Sequence, residues 1–562
     1  VFGEGFVEVL LSELMECWKR FCAFCLILAI ITAIACGAQP LHEEIDKIIK
    51  SQASGITTTT SSDAEFFRRV QLDIAGTIPD PQQVRAFLND KSPQKRTRLI
   101  DTLLSSEAFA NHWTDRLSTM LLERQTLGKV TDEEWREYLK KTIQENPRWD
   151  QMAKEMLAAT GKGISRSAMK FLGNGAHHRL TEDVARLFLG MDLKCAKCHD
   201  HPSVNEWKQA HYWGLYAYFN QTKQATNSKD KKVYFIESLA TGKIKFQSVF
   251  EDNEEETGPK LPGGSEVPIP TYEKGKEFDK PATDGLPAVP KFRPREFLAR
   301  DLPVKENTYF VHNAVNRIWF LMMGRGLVHP LDEIHGKNPP SHPALIAVLA
   351  NEFVKHQFEL KWLIREIALS QSYQRSSMLP EGIKTVETNS YRIAHPKAMT
   401  PEQLLKAILK ASGNFEKVSA MKASTDAEKF DRRGYFSGTH NDMPKSYEEI
   451  RAIFMETFAP PAGEAEEDFL PGLNKSLFLM NDRLIMHWLE PHDDNLVQRL
   501  EKMQEDGKIS EEMYLSVLAR FPDKEEAQTI TDYLEKNENR RDAALGELVW
   551  ALLTSTEFRL NH

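Results

Sequence analysis

Cysteine is scarce in this 562-residue chain, with six in all, at 17, 22, 25, 36, 195 and 198. The first four crowd into the N-terminal segment, so beyond it only Cys195 and Cys198 remain, too few for a disulfide-stapled scaffold. A dominant charge is missing as well. With 72 basic against 81 acidic residues the formal balance is −9, which offers no phosphate-tracking surface and argues against nucleic acid as a partner. The uncharged apolar run from Phe21 to Ala35 falls short of the roughly 20 residues of an ordinary membrane-spanning helix. Phosphate loops, serine-histidine-acid constellations and paired-carboxylate motifs do not rise above background, so the sequence assigns no catalytic residues.

What is present is the make-up of a globular protein, 41% hydrophobic and 27% charged, with a length that exceeds one core. Lys19 and Arg20 precede the apolar run, and small residues surround Cys36-Gly37-Ala38, so residues 1–38 read as a secretory signal with its cleavage site. Met15 is a more natural start than Val1, which makes residues 1–14 upstream sequence read through. A second reading is a lipoprotein signal ending Ala33-Ile34-Ala35-Cys36, in which lipid on Cys36 is the one contact with a membrane. Either way the expected location is outside the cytoplasm, periplasmic or envelope-associated.

The two remaining cysteines stand in Cys195-Ala196-Lys197-Cys198-His199, the attachment pattern of c-type haem. Two thiols one turn apart can add to the vinyl groups on one porphyrin edge, and the imidazole of His199 then serves as proximal iron ligand. His201 cannot be the opposite axial ligand of the same haem, because a residue two positions away cannot pass round the macrocycle. His177, His178 and Met169 are the distal candidates. Two other readings stay open. Cys195 and Cys198 with His199 or His201 could bind zinc or iron once a remote ligand is added, or the two cysteines could form a disulfide in a structural or adaptor protein.

Hydrophobic periodicity predicts a mainly α fold: two helical domains, residues 41–225 and 295–562, with a small β-hairpin and a Pro/Gly-rich acidic linker across 226–294. Helices are expected over Leu41 to Ile49, Ala64 to Ile74 and from Pro81, and one capped by Thr181 carries Val184, Leu187, Phe188 and Met191 towards Cys195. The hairpin is expected to pair Val233 and Phe235 with Ile244 and Phe246, and Glu251 to Pro294 to be a long loop. Trp207, Tyr212, Trp213, Tyr216, Tyr218 and Phe219 could wall a flat macrocycle or simply pack a core. In the second half, Val311 to Met322 make an apolar face that stops at Gly324, and Ser341 is the expected cap of the next helix. An internal echo recurs, because Leu72 to Pro79 and Leu515 to Pro522 both lead into a Pro-Asp turn. Each copy later closes with a Leu-Leu pair and an aromatic, Phe109 or Phe558, and Leu369 to Tyr373 is a weaker third trace.

Several of these motifs together carry a resemblance. Ala185-Arg-Leu-Phe-Leu-Gly190, Cys195-Ala-Lys-Cys-His-Asp-His-Pro202, Trp207-Lys-Gln209 and Tyr212, with Leu72-Asp-Ile-Ala-Gly76 and Pro79, resemble the cytochrome-associated domain of unknown function found in planctomycete-type bacteria. Asn316-Arg-Ile-Trp319, Gly324-Arg-Gly326, Asn338-Pro-Pro-Ser-His-Pro343 and the ending Trp550 to His562 are similar to the partner domain that follows it. The resemblance covers roughly residues 41–225 and 291–562. The chain departs from the pattern at Ser203, where an aromatic is usual, by one added residue before Trp207, and at residues 462–468, where the usual cysteine is missing. The resemblance implies association with cytochromes and no particular reaction. With one C-x-x-C-H, an electron-carrying role needs a redox or envelope protein partner.

Overall fold

A computed structural model describes residues 39–52, 57–162, 165–173, 175–421, 430–439, 442–465 and 472–562. The signal-like segment, including Cys36, lies outside them. Among the described residues the fold is mainly α, with four small two-stranded antiparallel sheets, and no helix is long and apolar enough to cross a membrane.

Buried apolar side chains form two clusters. The first gathers residues from Leu41 to Tyr391 together with Leu515 and Ala519, and the second runs from Met399 to Phe558 with Leu72 and Ile78 added. The helices Thr308–Met323, Pro343–Lys355 and Leu360–Leu369 bury Val315, Leu349 and Ile367 in the same cluster as the N-terminal helices. Segment 226–294 therefore separates two stretches of chain, and the two cores part further on, between Tyr391 and Met399.

The 226–294 segment itself corrects two expectations. Val233–Glu237 pairs with Thr222–Thr226, and Ile244–Gln247 pairs with Glu254–Thr257, so Phe235 and Phe246 sit in different hairpins. Local turn chemistry decides this. The Asn227 side chain accepts from the N–H groups of Lys229 and Asp230, and Lys231 adopts φ 59°, which closes the first ribbon tightly. The expected long loop then contains Glu254–Thr257 and a further ribbon, Phe278–Lys280 with Val289–Pro290.

The echo has a structural basis. Asp80 and Asp523 each open a helix with a full capping box, to Gln83 and Glu526 respectively. At the closing end the Ser106 hydroxyl donates to the Leu103 carbonyl and accepts from the Phe109 N–H, at 2.6 and 3.1 Å. Ser555 does the same with Leu552 and Phe558 (2.7 and 3.1 Å), and Ser370 with Ile367 and Tyr373 (2.7 and 3.2 Å). The helix Asp63–Val70 meets two of these copies: Arg69 donates to the Tyr373 carbonyl at 2.7 Å and Arg68 to the Phe558 carbonyl at 2.7 Å, both arginines being buried. Ser106→Ala and Ser555→Ala should each lower the unfolding free energy by about 1 kcal/mol in urea titration. Effects below about 0.3 kcal/mol at both sites would make the recurring hydroxyl incidental.

An ion network joins the two cores. Asp115, buried on the helix Glu107–Leu122, meets Arg136 at 2.7 Å from its own side and Lys406 at 3.1 Å and Arg451 at 4.0 Å from the other. Glu402 reciprocates from the second core with both oxygens on Arg124, at 2.6 and 2.9 Å.

Candidate functional site

The helix His177–Leu189 delivers the cysteine motif. It buries Leu180, Val184, Leu187 and Phe188 along one stripe and ends at Gly190 with φ 69°. A side chain at Gly190 would meet Ile334 Cδ1 at 2.4 Å, so glycine is required there on both grounds. Thr181 is not the cap expected from the sequence; it lies one turn inside the helix, where its hydroxyl satisfies the His177 carbonyl at 2.8 Å. Past Gly190 the chain is guided by the second half of the protein: Asn313 donates to the Leu187 carbonyl at 2.7 Å, and the Asp192 N–H to the Asp332 carbonyl at 2.9 Å.

Cys195–Lys197 then forms one 3-10 turn in which only Ala196 is buried. Both cysteines are exposed and free, so the disulfide reading is not what the fold presents. The Cys198 and His199 N–H groups both return to the Cys195 carbonyl, at 3.2 and 3.4 Å, fixing the pair on one tight turn.

The two histidines of the motif differ in what their rings are doing. His199 Nδ1 lies 2.6 Å from the Asp200 carbonyl oxygen, which can only accept. Nδ1 therefore carries the proton, and the lone pair of the neutral ring sits on Nε2. In His201, Nδ1 accepts from the N–H groups of Val204 (3.0 Å) and Ser203 (3.4 Å), and the ring stands edge-on to Trp207 at 5.1 Å. His201 thus holds the following loop closed. Asp200 completes the scaffold: its carboxylate accepts from the Gln209 N–H at the start of the helix Gln209–Phe219 and from Lys208, both at 2.8 Å. Burial opposes its ionisation, but those bonds hold it below the usual carboxylate range.

Two apolar side chains are left in water beside the Cys198-His199 end of the motif. The Val249 N–H donates to the Cys198 carbonyl at 3.0 Å, and the Phe250 ring lies 5.1 Å from that of His199. Val249 is 65% exposed and Phe250 78%. Their place next to His199 comes from the ribbon turn about 50 residues on and carries no signal in the sequence. His335 is another residue the motifs did not reveal. It too packs edge-on to Trp207 at 5.1 Å, while the Gly336 N–H and Lys337 ammonium bond Glu206 and the Ser203 carbonyl.

The aromatic stretch divides. Trp207, Tyr212, Tyr218 and Phe219 are core, whereas Trp213 and Tyr216 are half-buried. Trp213 donates to the Lys197 carbonyl at 3.2 Å, and Tyr216 packs on His178 at 4.7 Å. His178 also shares a 2.7 Å hydrogen bond with the Tyr212 hydroxyl. Burial, then Lys197 and His177, lower its pKa, so it is neutral near pH 7. Of the other distal candidates, His177 is engaged with the Thr222 carbonyl at 2.8 Å, and Met169 is buried. Among the described residues no group of three or more His, Cys, Asp and Glu side chains is gathered as a metal site.

Residues 44–224 match the model of PSCyt2, a protein of unknown function (DUF1549). Residues 294–534 match that of PSD1, a protein of unknown function (DUF1553). The chain carries the two domains in that order. This is the order indicated by the Cys195–Pro202 and Asn316–Trp319 motifs, a cytochrome-associated domain followed by its partner. No curated protein and no solved structure matches the chain. The cysteine motif belongs to the PSCyt2 segment, and the loop of His335, Gly336 and Lys337, which bonds Ser203 and Glu206 just after the motif, belongs to the PSD1 segment. The site is thus built by both.

Proposed function

We propose that this is an exported protein that carries one c-type haem and passes electrons to a redox or envelope partner. Cys195 and Cys198 form the thioether bonds and His199 is the proximal ligand. The observation that carries the reading is the state of His199 beside two free, exposed thiols: a carbonyl holds Nδ1–H and leaves Nε2 as the donor, the arrangement in which ligating histidines are oriented by an outer partner. The exposed Val249 and Phe250 next to it supply an apolar margin that a macrocycle edge would cover. Bound haem would supply one-electron chemistry at that edge of the molecule. His178, neutral and within the Tyr212–Trp213–Tyr216 cluster, is the distal ligand best supported among the three named. Export follows from the signal-like residues 1–38 and brings the thiols to a compartment where haem attachment occurs.

The test is production with a cytochrome c maturation system, followed by haem staining after denaturing electrophoresis and elemental analysis. A stained band with one iron per chain is expected. His201→Ala should keep the stain, because that ring caps a loop, while His199→Ala should lose the proximal ligand and shift the Soret band of whatever haem is attached. Colourless protein with stoichiometric zinc would overturn the proposal in favour of a thiolate metal site.

A further inference from the structure

A cavity of about 590 Å³ lies between the two cores, with no residue of the cysteine motif in its lining, and its size is that of a small-molecule site. Asp73, from the Leu72–Gly76 motif, lines it. The Asp73 carboxylate is fully engaged: it accepts from Lys397 (2.6 Å), Asn561 (2.7 Å) and Tyr373 (2.8 Å), which ties the first core to the ribbon of Lys397–Ala398 with Leu560–Asn561. Asp73 is also the one carboxylate among the described lining residues, against the cations Arg116, Lys397, Lys475 and Arg559.

Among the described residues, Arg116 and Arg559 have no acidic partner. Arg116, half-buried on the helix Glu107–Leu122, has no hydrogen bond or ion pair among the described residues. Among the described residues Arg559 makes one bond, 3.4 Å to the Ser555 carbonyl, and has no acidic partner. The same lining contains a buried polar atom with no partner among the described residues, Oδ1 of Asn561, a residue that is 2% exposed. The remaining lining mixes the polar Thr400, Gln403, Ser476 and Thr556 with apolar side chains that include Phe320, Phe458 and Leu479. Two guanidinium groups without acidic partners and an orphaned amide oxygen converge on one cavity, and it is at ligand sites that such groups are retained.

We infer that this cavity binds an organic anion with an apolar body, its anionic group held by Arg116 and Arg559 and its body against Phe320, Phe458 and Leu479. Guanidinium forks suit a planar carboxylate or a sulfonate, and Asn561 Oδ1 offers an acceptor to a hydroxyl or N–H on the ligand.

The probe is 8-anilinonaphthalene-1-sulfonate, an anion with an apolar body, titrated into the purified full chain by fluorescence alongside its uncharged relative N-phenyl-1-naphthylamine. One-to-one sulfonate binding is expected, weakened by about tenfold or more in Arg116→Gln and in Arg559→Gln and largely kept in Arg116→Lys. The uncharged probe should bind all variants alike. Thermal melts of the ligand-free variants supply a second readout: removing an unpaired cation should leave the melting temperature unchanged or raised. No sulfonate binding up to millimolar concentration, or equal binding by wild type and both glutamine variants, would overturn the inference. A lowered melting temperature in both variants would also overturn it, because it would assign the arginines to holding the fold.

Discussion

Replacing Cys195 and Cys198 together by serine is expected to give a colourless protein, with no haem stain, from a host in which the wild type is stained. Thioether bonds need both sulfurs, and no other cysteine lies beyond residue 36 to substitute for them. The fold should not notice the change. Both side chains are exposed and free, and the turn they occupy is held by backbone bonds to the Cys195 carbonyl and by the Gln209 and Trp213 bonds to Lys197 O, at 3.2 Å each. Stability should therefore stay within about 0.5 kcal/mol of a colourless wild-type preparation. A large loss of stability with both thiols removed would mean that they carry structure, as in a metal site or disulfide.

The second large effect is expected at Asp115. Breaking one partner of a buried ion network typically costs about 3–5 kcal/mol, and Asp115→Asn leaves Arg136, Lys406 and Arg451 facing each other between the two cores. The pH dependence gives the loss its signature. Burial works against the charged form, but the three cations outweigh it and hold the Asp115 carboxyl well below the usual carboxylate range. A carboxyl depressed in the folded state contributes stability above its unfolded pKa, about 3.9, and loses it as pH falls through the folded value. The gap in melting temperature between wild type and variant should therefore be widest at neutral pH and shrink below about pH 4. A gap independent of pH would place the effect in packing instead of charge.

Where local chemistry decides, the sequence is readable. The Pro-Asp turns at 79–80 and 522–523 predict helix starts, and both open capping boxes; Gly324 ends its helix in the left-handed conformation as its position suggests. Reading fails where a side chain has two ways to be satisfied. Thr181 can cap a helix or bond back one turn within it, and it does the latter. Ser341 lies one residue early, because Pro343 fixes the first helical position and leaves His342 as the cap residue. The hairpins fail for another reason: alternation marks Phe235 and Phe246 as strand residues without saying which neighbour each strand pairs with, and Asn227 settles that locally. The division between cores is hidden because composition marks the linker at 251–294, whereas the helices after it carry apolar faces that fit the N-terminal core.

The candidate site shows the same split. Cys195, Cys198 and His199 can be singled out from the sequence because the chemistry proposed for them depends on a spacing of a few residues. Phe250 beside His199 and His335 against Trp207 cannot, since their proximity is a product of tertiary folding. The same holds for Asp73, Arg116 and Arg559, which line one cavity from opposite ends of the chain.

Mass spectrometry of the trypsin-digested protein, taken from a maturation-competent host, tests the haem assignment most directly. Lys194, Lys197 and Lys208 place Cys195 in a three-residue peptide and Cys198 in a separate one that ends at Lys208. After full reduction the two peptides should still travel as a single species, bridged by one haem through both sulfurs. Two separate peptides with free thiols would contradict the assignment, because neither a disulfide nor a zinc site survives reduction and digestion as a covalent bridge.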